Sequence, residues 1–300
     1  MEYRFQFSNF GQILKPKDTF FTMNYTLNCG GKILDLSTPM VMGIVNITPD
    51  SFYDGGQSNM PSSWLALAEK HLQEGAGILD LGAFSSRPGA APVSQNEELE
   101  RLIPAVKSII SHFPNCIISV DTYRSEVARQ AIDHGATIIN DISGGEIDPL
   151  IVQECIKSDV PYIAMHMKGN PSNMQSMTDY EDITTEIFDY FAHKINNFQK
   201  QGLKDIIIDL GFGFSKTLSQ NYLLLKQLKS FQQLGVPILT GISRKSMIYK
   251  ALDCSPKEAL NGTTALHMAA LMNGTNILRV HDVKEAKETI ELFKLYVNCG

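Results

Sequence analysis

The amino-acid sequence predicts an α/β protein, a (β/α)₈ TIM barrel preceded by an N-terminal β-hairpin. From residue 40 onward, eight short apolar runs alternate with segments of helical pattern, which is typical of a parallel sheet with helical crossovers. Eight is also the number of strands that closes such a barrel. The chain has 300 residues, 43% of them hydrophobic, and this is enough for one barrel with a large core.

The N-terminal part is predicted to be separate from the barrel, with an extension and hairpin over residues 1–39 and the barrel domain over residues 40–300. Tyr25-Thr26-Leu27 and residues 32–36 alternate between apolar and polar side chains around Cys29-Gly30-Gly31, which is a hairpin pattern. The first 22 residues or so are rich in aromatic side chains and show no clear period.

The eight predicted strands are short apolar runs bounded by polar or turn-forming residues. They cover residues 40–45, 77–81, 116–120, 136–139, 161–165, 205–210, 236–242 and 276–280. Helical patterns between them include Ser62–Glu74, Asn96–Ser111, Arg124–His134, Tyr180–Gln201 and Gln220–Phe231, with an extra helix over 258–272. The shortest interval between strand ends, from Asp121 to Asn140, leaves room for the crossover of about a dozen residues that parallel strands need.

Composition excludes several classes of protein. The formal net charge of −6 argues against a nucleic-acid partner. No apolar run approaches the roughly 18 residues of a membrane span, and the N-terminus lacks the apolar stretch of a signal peptide. The five cysteines are scattered without a CxxC pair, which predicts free thiols in a reducing cytoplasm.

The isolated histidines, cysteines and tryptophan favour structural roles. His71, His112, His134 and His193 lie within helical patterns and are expected at the surface or its boundary. Cys116, Cys155 and Trp64 are expected in the core, and no Cys/His cluster has the spacing of a zinc site.

A long loop follows the first barrel strand. The apolar run ends at Asn46, and the next helical pattern begins only near Pro61. Strand-to-helix loops usually have about 2–6 residues, so this length favours a functional loop over a plain connector. The loop contains Phe52, Asp54 and a Gly-Gly pair.

Polar side chains also stand at the ends of all eight predicted strands. They are Asn46, Asp80, Asp121, Asn140-Asp141, His166, Asp209, Ser243-Arg244-Lys245, and Arg279 with His281. A single polar residue after an apolar run is an ordinary boundary effect. In a barrel, however, the carboxyl ends of all the strands meet on the face that carries active sites, so together they predict a pocket.

The residue types suggest what this pocket binds. Carboxylates and amides such as Asp121, Asn140 and Asp209 pair well with a planar heterocycle that carries several N–H groups. Residues 243–246 combine cations with a predicted helix start, which suits a phosphate or diphosphate. The alternative is that these cations are solvated residues at the start of a helix. The loop over residues 85–90 adds another cation beside turn formers.

Taken together, these stretches resemble the dihydropteroate synthase family. Eight motifs occur in the family's order from about residue 40 to the C-terminus. They are residues 46–56, Ser85-Ser86-Arg87-Pro88-Gly89, Ser119-Val120-Asp121-Thr122, Ile139-Asn140-Asp141-Ile142, Met165-His166-Met167, Asp209-Leu210-Gly211-Phe212-Gly213-Phe214, Ser243-Arg244-Lys245-Ser246 and Arg279-Val280-His281-Asp282. Each motif is weak alone, but eight in order are specific. Departures occur at Ala83-Phe84, Ser86 and Leu210.

The resemblance implies a reaction and a set of substrate contacts. The family joins 6-hydroxymethyl-7,8-dihydropterin diphosphate to 4-aminobenzoate and releases diphosphate. By this likeness the pterin would be held by Asp121, Asn140, Met165, Asp209, Phe214 and Lys245. The aminobenzoate would lie against Phe52, Ser86, Pro88 and Ser246.

The resemblance also implies a metal ion and catalytic groups. Asn46 would bind Mg²⁺, and Arg279, His281 and Arg87 would contact the diphosphate. Asp54 and Asp121 would stabilise a cation on the pterin methylene, and Lys245 and Arg87 complete the implied catalytic set. In the family, C-terminal helices form a homodimer interface, so a homodimer is implied by resemblance alone.

Two other functions compete with this interpretation. A methyltetrahydrofolate methyltransferase shares the pterin-binding barrel but needs no diphosphate site, so the cations at 243–246 and 279–281 argue against it. A non-catalytic pterin-binding protein is the other possibility. Phe52, Asp54 and Arg87 in the two long loops argue against that function.

Overall fold

The computed structural model describes residues 25–47, 63–84, 93–170 and 173–299. Within these ranges eight parallel strands close into a barrel, in the order β10-β3-β4-β5-β6-β7-β8-β9. The barrel strands are β3 (Met40–Asn46), β4 (Ile78–Gly82), β5 (Ile117–Asp121), β6 (Ile138–Asp141), β7 (Tyr162–Met165), β8 (Ile206–Asp209), β9 (Ile238–Thr240) and β10 (Ile277–Val280). The predicted fold is confirmed, and every strand overlaps its predicted apolar run.

The predicted hairpin is confirmed as well. It consists of β1 (Thr26–Cys29) and β2 (Lys32–Asp35), which pair antiparallel. Gly30 and Gly31 form the two-residue turn with φ of +60° and +90°, a conformation that glycine adopts without steric cost. The hairpin packs against the end of the barrel at which the strands begin, here called the lower end. Its side chains form one apolar cluster with side chains of the barrel interior.

Helices follow the strands around the barrel. They are α1 (Ser63–Gln73), α2 (Gln95–His112), α3 (Ser125–Asp133), α4 (Leu150–Ser158), α5 (Ile183–Gln201), α6 (Leu218–Gln227), α7 (Ser246–Tyr249), α8 (Leu260–Met272) and α9 (Val283–Asn298). The extra helix predicted over 258–272 is therefore present as α8. A 3₁₀ segment, Leu228–Leu234, continues α6. Within the described ranges, no helix has the length and apolar character needed to cross a membrane.

Each barrel strand faces two different environments, because successive side chains point to opposite sides. Outward side chains such as Leu79 and Ile139 join the large core between sheet and helices. Inward side chains at the start of the strands form an apolar floor with the hairpin. The floor residues of the barrel are Met42, Ile78, Ile138, Ile163, Ile207, Leu239 and Ile277.

Of the four histidines expected at the surface or its boundary, His71 is buried instead, so that prediction is wrong. His71 on α1 is 2% exposed, and its Nε2 lies 3.0 Å from the carbonyl oxygen of Ile44. Burial lowers the pKa of His71. The helical period indicated the helix, but it could not show that this face of α1 packs on Gly43 of β3, where the missing side chain leaves room for the imidazole.

Gly43→Ala should therefore destabilise the protein. An added Cβ would lie 2.9 Å from Cδ2 of His71 and 3.1 Å from Cγ2 of Val283, and overpacking of this kind costs about 1–3 kcal/mol. Gly82→Ala is the matched strand control, because its nearest neighbour, the Cβ of Asp121, would be 3.6 Å away. Urea unfolding should show a clear loss of unfolding free energy for Gly43→Ala alone. Equal stability of the two variants would contradict this packing.

Candidate active site

The candidate site is a layer of polar side chains that lies inside the barrel directly above its apolar floor. Side chains two positions apart on a strand point the same way, so Asp80 follows Ile78 toward the interior. The inward residues that stand two positions after floor residues include Asp80, Asn140, Met165, Asp209, Gly241 and Arg279. The layer therefore results from strand alternation, with apolar residues below and polar residues above.

Arg279 and Asp80 form the centre of this layer. The guanidinium Nε of Arg279 donates to Asp80 at 2.6 Å, and its Nη2 donates to Asp121 at 2.8 Å. Asp80, which is fully buried, also accepts from Ser119 Oγ at 2.6 Å and from Asn140 Nδ2 at 3.1 Å. Because the amide nitrogen of Asn140 is used by Asp80, its Oδ1 remains as the acceptor for a ligand.

Asp121 carries an acceptor that has no partner. Its Oδ1 is buried and makes no hydrogen bond within the described part of the chain, although Oδ2 is bound by Arg279. Burial raises the pKa of Asp121 to about 7, against the opposing effect of Arg279 and with the help of the Asp80 charge. A buried carboxylate oxygen without a donor is costly, so Asp121 is suited to accept an N–H group from a ligand.

Asp209 and Lys245 approach each other across Gly241. A Cβ added at Gly241 would lie 3.7 Å from both Oδ2 of Asp209 and Nζ of Lys245, so glycine leaves the space between them open. The Oδ1 of Asp209 accepts from the backbone N–H of Gly211 at 2.8 Å. Burial raises the pKa of Asp209, with Lys245 opposing the effect. Burial lowers the pKa of Lys245 to about 8, with Asp209 opposing.

An apolar wall stands beside these polar groups. Met165 is 3% exposed and packs with Ile142, Met167 and Met174. The ring of Phe214 lies against the same cluster, and its centroid is 4.7 Å from Nζ of Lys245. Apolar side chains next to a few converging polar groups are typical of small-molecule sites, and a flat ring fits against such a wall.

The stretch 243–246 is only in part as the sequence predicted. Arg244 turns away from the interior layer, because its guanidinium donates to Asp282 at 2.7 and 2.8 Å and to the carbonyl oxygen of Lys257 at 2.7 Å. The backbone of Arg244 is left-handed, with φ of +54°. Helix α7, which starts at Ser246, has only four residues. Anion binding here therefore depends on side-chain cations and hydroxyls more than on a helix dipole.

His281 and Asn46 stand at the ends of the neighbouring strands β10 and β3. The Nδ1 of His281 lies 3.1 Å from Oγ of Ser243, so strands β9 and β10 meet at this edge of the site. Asn46 is exposed at the last position of β3. Its amide oxygen is a hard ligand of the type that Mg²⁺ accepts.

Five predicted site residues lie outside the described residues. They are Phe52, Asp54, Ser86, Arg87 and Pro88. The other predicted residues are among those described, and all but Ser246, which begins α7, lie in this layer, in its apolar wall or at the ends of its strands. Those residues are Asn46, Asp121, Asn140, Met165, Asp209, Phe214, Lys245, Ser246, Arg279 and His281.

Asp80 was predicted only as a polar strand end, with no role in binding or catalysis. Its position in the middle of β4 makes it a buried partner of Arg279 and not a ligand at the rim. A carboxylate within an apolar strand was the available signal, because such a group is rarely buried without a partner. Met167 was part of a quoted motif, and only the packing shows that it completes the apolar wall.

The donor set bears on whether a resident metal ion could be held. Among the described residues, no group of three or more His, Cys, Asp or Glu side chains is placed to hold one. Mg²⁺ commonly keeps several waters and takes only one or two protein ligands when it binds substrate phosphates. Asn46 therefore fits as a single protein ligand for magnesium diphosphate, and not as part of a closed metal cage.

The chain is similar in sequence to known proteins of one enzyme family. A family described as "Pterin binding enzyme" matches residues 42–281. The dihydropteroate synthase of Escherichia coli K12 is 44% identical over 264 residues, which cover 87% of this chain and 93% of the relative. That of Synechocystis is 45% identical over 247 residues, covering 81% of this chain and 85% of the relative.

Solved structures agree with this similarity. The Yersinia pestis dihydropteroate synthase in complex with a sulfonamide drug matches with a TM-score of 0.85 and 39% identity, covering 92% of this chain and all of that one. The Xanthomonas albilineans dihydropteroate synthase in complex with 7,8-dihydropteroate matches with a TM-score of 0.81 and 33% identity, with the same coverage. The likeness thus includes both the barrel and its sequence.

Asp80→Ala should be strongly destabilising, because it removes one partner of a buried ion pair and leaves Ser119 and Asn140 without their acceptor. Breaking such a pair costs about 3–5 kcal/mol. Chemical denaturation measures the loss. Lys204→Ala is the control, since it breaks a 2.9 Å pair with Asp159 that is exposed and should leave stability nearly unchanged. If both variants unfold at the wild-type denaturant concentration, Asp80 does not organise the layer.

Proposed function

Because this chain belongs to the pterin-binding enzyme family, we propose that it is a transferase of folate biosynthesis that makes 7,8-dihydropteroate. Its substrates are 6-hydroxymethyl-7,8-dihydropterin diphosphate and 4-aminobenzoate, and diphosphate is the second product. The chain covers most of the length of dihydropteroate synthases to which it is 44–45% identical. The observation within the site that supports the assignment best is the buried Oδ1 of Asp121, which has no hydrogen-bond partner among the described residues and lies among buried amide and carboxylate groups.

The interior layer suits the pterin ring. Asp121 Oδ1, Asn140 Oδ1 and Asp209 Oδ2 are acceptors, and the edge of a pterin carries several N–H donors. Hydrogen bonds to ionised groups are roughly twice as strong as neutral ones. Lys245 supplies a donor to the ring acceptors, and Met165 and Phe214 lie against the ring faces.

The reaction replaces one bond on the pterin methylene by another. The C–O bond to the diphosphate breaks, the amine nitrogen of 4-aminobenzoate forms the new C–N bond with its lone pair, and the proton lost by that nitrogen passes to solvent. Positive charge develops on the methylene carbon as the diphosphate leaves. Asp121 lies inside the barrel as a fixed carboxylate that stabilises this charge. Asp54, which lies outside the described residues, is proposed for the same role.

The leaving diphosphate is proposed to contact Arg279 and His281. Arg279 lies on β10 and His281 follows its last residue, and β10 pairs with β3, which ends at Asn46. When bound, Mg²⁺ neutralises charge on the diphosphate oxygens, and Asn46 would hold it from the protein side. Arg87 is proposed to contact the same group.

The aminobenzoate is proposed to lie at the outer rim, where its carboxylate can meet Ser246 at the start of α7. Phe52, Ser86 and Pro88 would complete that pocket.

Neither rival function explains the site as well. A methyltransferase would not need the cations beside Asn46, and a non-catalytic binder would not need a carboxylate placed beside the reacting carbon.

The assembly and location of the protein are proposed on separate grounds. Leu292, Leu295 and Tyr296 of α9 are 60%, 66% and 62% exposed and share one helix face by their spacing. A homodimer would cover them. Light scattering on wild type and Leu295→Glu tests the dimer, since a wild-type monomer would exclude it.

All five cysteines lie within the described ranges and are free thiols, which supports a cytoplasmic protein.

The decisive experiment is an activity assay with both substrates. Purified protein with pterin diphosphate, 4-aminobenzoate and Mg²⁺ should release diphosphate and form dihydropteroate in equal amounts. Omission of the amine or removal of Mg²⁺ with EDTA should suppress product. Asp209→Asn is the control, because the amide replaces a charged acceptor by a mismatched donor and should abolish pterin binding. A folded wild-type protein that forms no product would refute the assignment.

The lowered pKa of Lys245 predicts a pH dependence. Its ammonium loses a proton, and with it a charge and a donor, as the pH rises through about 8. Affinity for a pterin without diphosphate should therefore be lost on the alkaline side of pH 8. Lys245→Arg, whose guanidinium stays charged, should bind with little change up to about pH 10. Calorimetry between pH 7 and 10 compares the two, and an identical alkaline decline in both proteins would assign it to another group.

A further inference from the structure

Lys216 is a buried lysine that no motif of the sequence singled out. It lies seven positions after the end of β8 and is 7% exposed. Its Nζ donates to the carbonyl oxygens of Gly211 and Phe214, both at 3.0 Å, and lies 3.1 Å from Nδ1 and 3.4 Å from the carbonyl oxygen of His166. The ammonium thus bridges the loop after β8 and the first residue after β7.

The loop that Lys216 closes has an unusual backbone. Gly211, Gly213 and Ser215 have φ of +69°, +83° and +47°. This left-handed region suits glycine but is unfavourable for serine. At Gly211 an added Cβ would lie 2.0 Å from the carbonyl oxygen of His166, so the two loops are in close contact. A conformation of this kind persists only where surrounding contacts hold it.

The same loop presents three groups of the pterin site. The N–H of Gly211 orients Asp209, because it binds Oδ1 at 2.8 Å and leaves Oδ2 toward Gly241. The carbonyl oxygen of Phe212 accepts from Lys245 Nζ at 2.6 Å. Phe214 itself belongs to the apolar wall. A shift of the loop would therefore move the Asp209 acceptor, the Lys245 ammonium and the Phe214 ring together.

We propose that Lys216 is a positioning residue for pterin recognition, whose ammonium ties the loop of residues 211–214 to His166 and so fixes Asp209, Lys245 and Phe214 in their binding arrangement. Lys216 does not touch the substrate. The inference rests on the proposed function, because it takes the pterin as the ligand of this layer.

The charges around Lys216 are consistent with this role. Burial lowers the pKa of His166 to about 2, assisted by the charges of Lys216 and Lys168. The imidazole is therefore neutral, and Nδ1 accepts from the ammonium. Burial lowers the pKa of Lys216 to about 7, and Asp209 opposes this effect. Even as a neutral amine Lys216 keeps two N–H donors for the carbonyl oxygens.

The test uses Lys216→Met, which preserves the length of the side chain and removes all of its donors. Binding of 6-hydroxymethylpterin, which lacks the diphosphate, is measured by calorimetry, and KM is measured separately for each substrate. We expect the pterin Kd and the KM for pterin diphosphate to rise about tenfold or more. The KM for 4-aminobenzoate should stay within about threefold of wild type, because the loop presents no group of that pocket.

Lys168→Met is the matched control. Its ammonium donates to the carbonyl oxygen of Asp179 at 2.6 Å and to Glu186 at 3.0 Å on the outer side of the same region. Its pterin Kd should stay within about twofold of wild type. A Lys216→Met protein with a lowered melting temperature but an unchanged pterin Kd would make Lys216 a stabilising residue only and overturn the proposal. A wild-type protein that binds no pterin would instead overturn the proposed function.

His166→Leu provides a second variant that removes one acceptor and leaves the ammonium in place. It is expected to raise the pterin Kd by about threefold to tenfold, again with little effect on the KM for 4-aminobenzoate. If Lys216→Met does not fold, a folded His166→Leu protein with wild-type pterin affinity overturns the proposal by itself.

Discussion

The guanidinium of Arg279 connects β10 with β4 and β5 across the interior of the barrel. Its two carboxylate partners, Asp80 and Asp121, are held at 2.6 and 2.8 Å, and Asp80 in turn holds Asn140. Burial would be unfavourable for each of these charges alone. Paired with each other they are stabilised, and the two carboxylates raise the pKa of Arg279 against the effect of burial, so the guanidinium stays charged. The orientation of the remaining ligand-facing atoms depends on this arrangement.

Charge balance makes such a site possible in a buried place. Within the described part of the barrel mouth, acidic groups lie close to basic ones, namely Asp80, Asp121 and Asp209 with Arg279, Lys245 and Lys216. A set close to neutrality can bind a planar ring through individual charged hydrogen bonds without a large net field. Arg279 lies close to the place proposed for the diphosphate. One layer is therefore proposed to serve both the recognition of an uncharged ring and the departure of an anion.

The apolar floor and the polar layer are built from the same strands. The floor shares its packing with the N-terminal hairpin, which contributes Leu27, Cys29, Leu34 and Leu36 to the cluster. This packing closes the lower end of the barrel and leaves the upper end for chemistry. A displacement of two residues along β4 or β8 separates an isoleucine of the apolar floor from an aspartate of the polar layer. The floor and the polar layer are thus divided by position along a strand and not by domain.

The sequence by itself determined the barrel, the hairpin and most of the polar layer. Apolar runs of strand length, separated by helical periods, reflect local physics, and the convergence of strand ends on one face follows from the closure of the barrel. Tertiary structure alone decided which polar groups are ligand-facing and which support them. Asp80 and Arg244 were predicted as strand-end residues of a pocket, although both hold other protein groups in place, and Lys216 and His71 look like ordinary polar residues in the chain. Their roles depend on partners 199, 38, 50 and 27 positions away, and contacts at such separations leave no periodic trace in a single sequence.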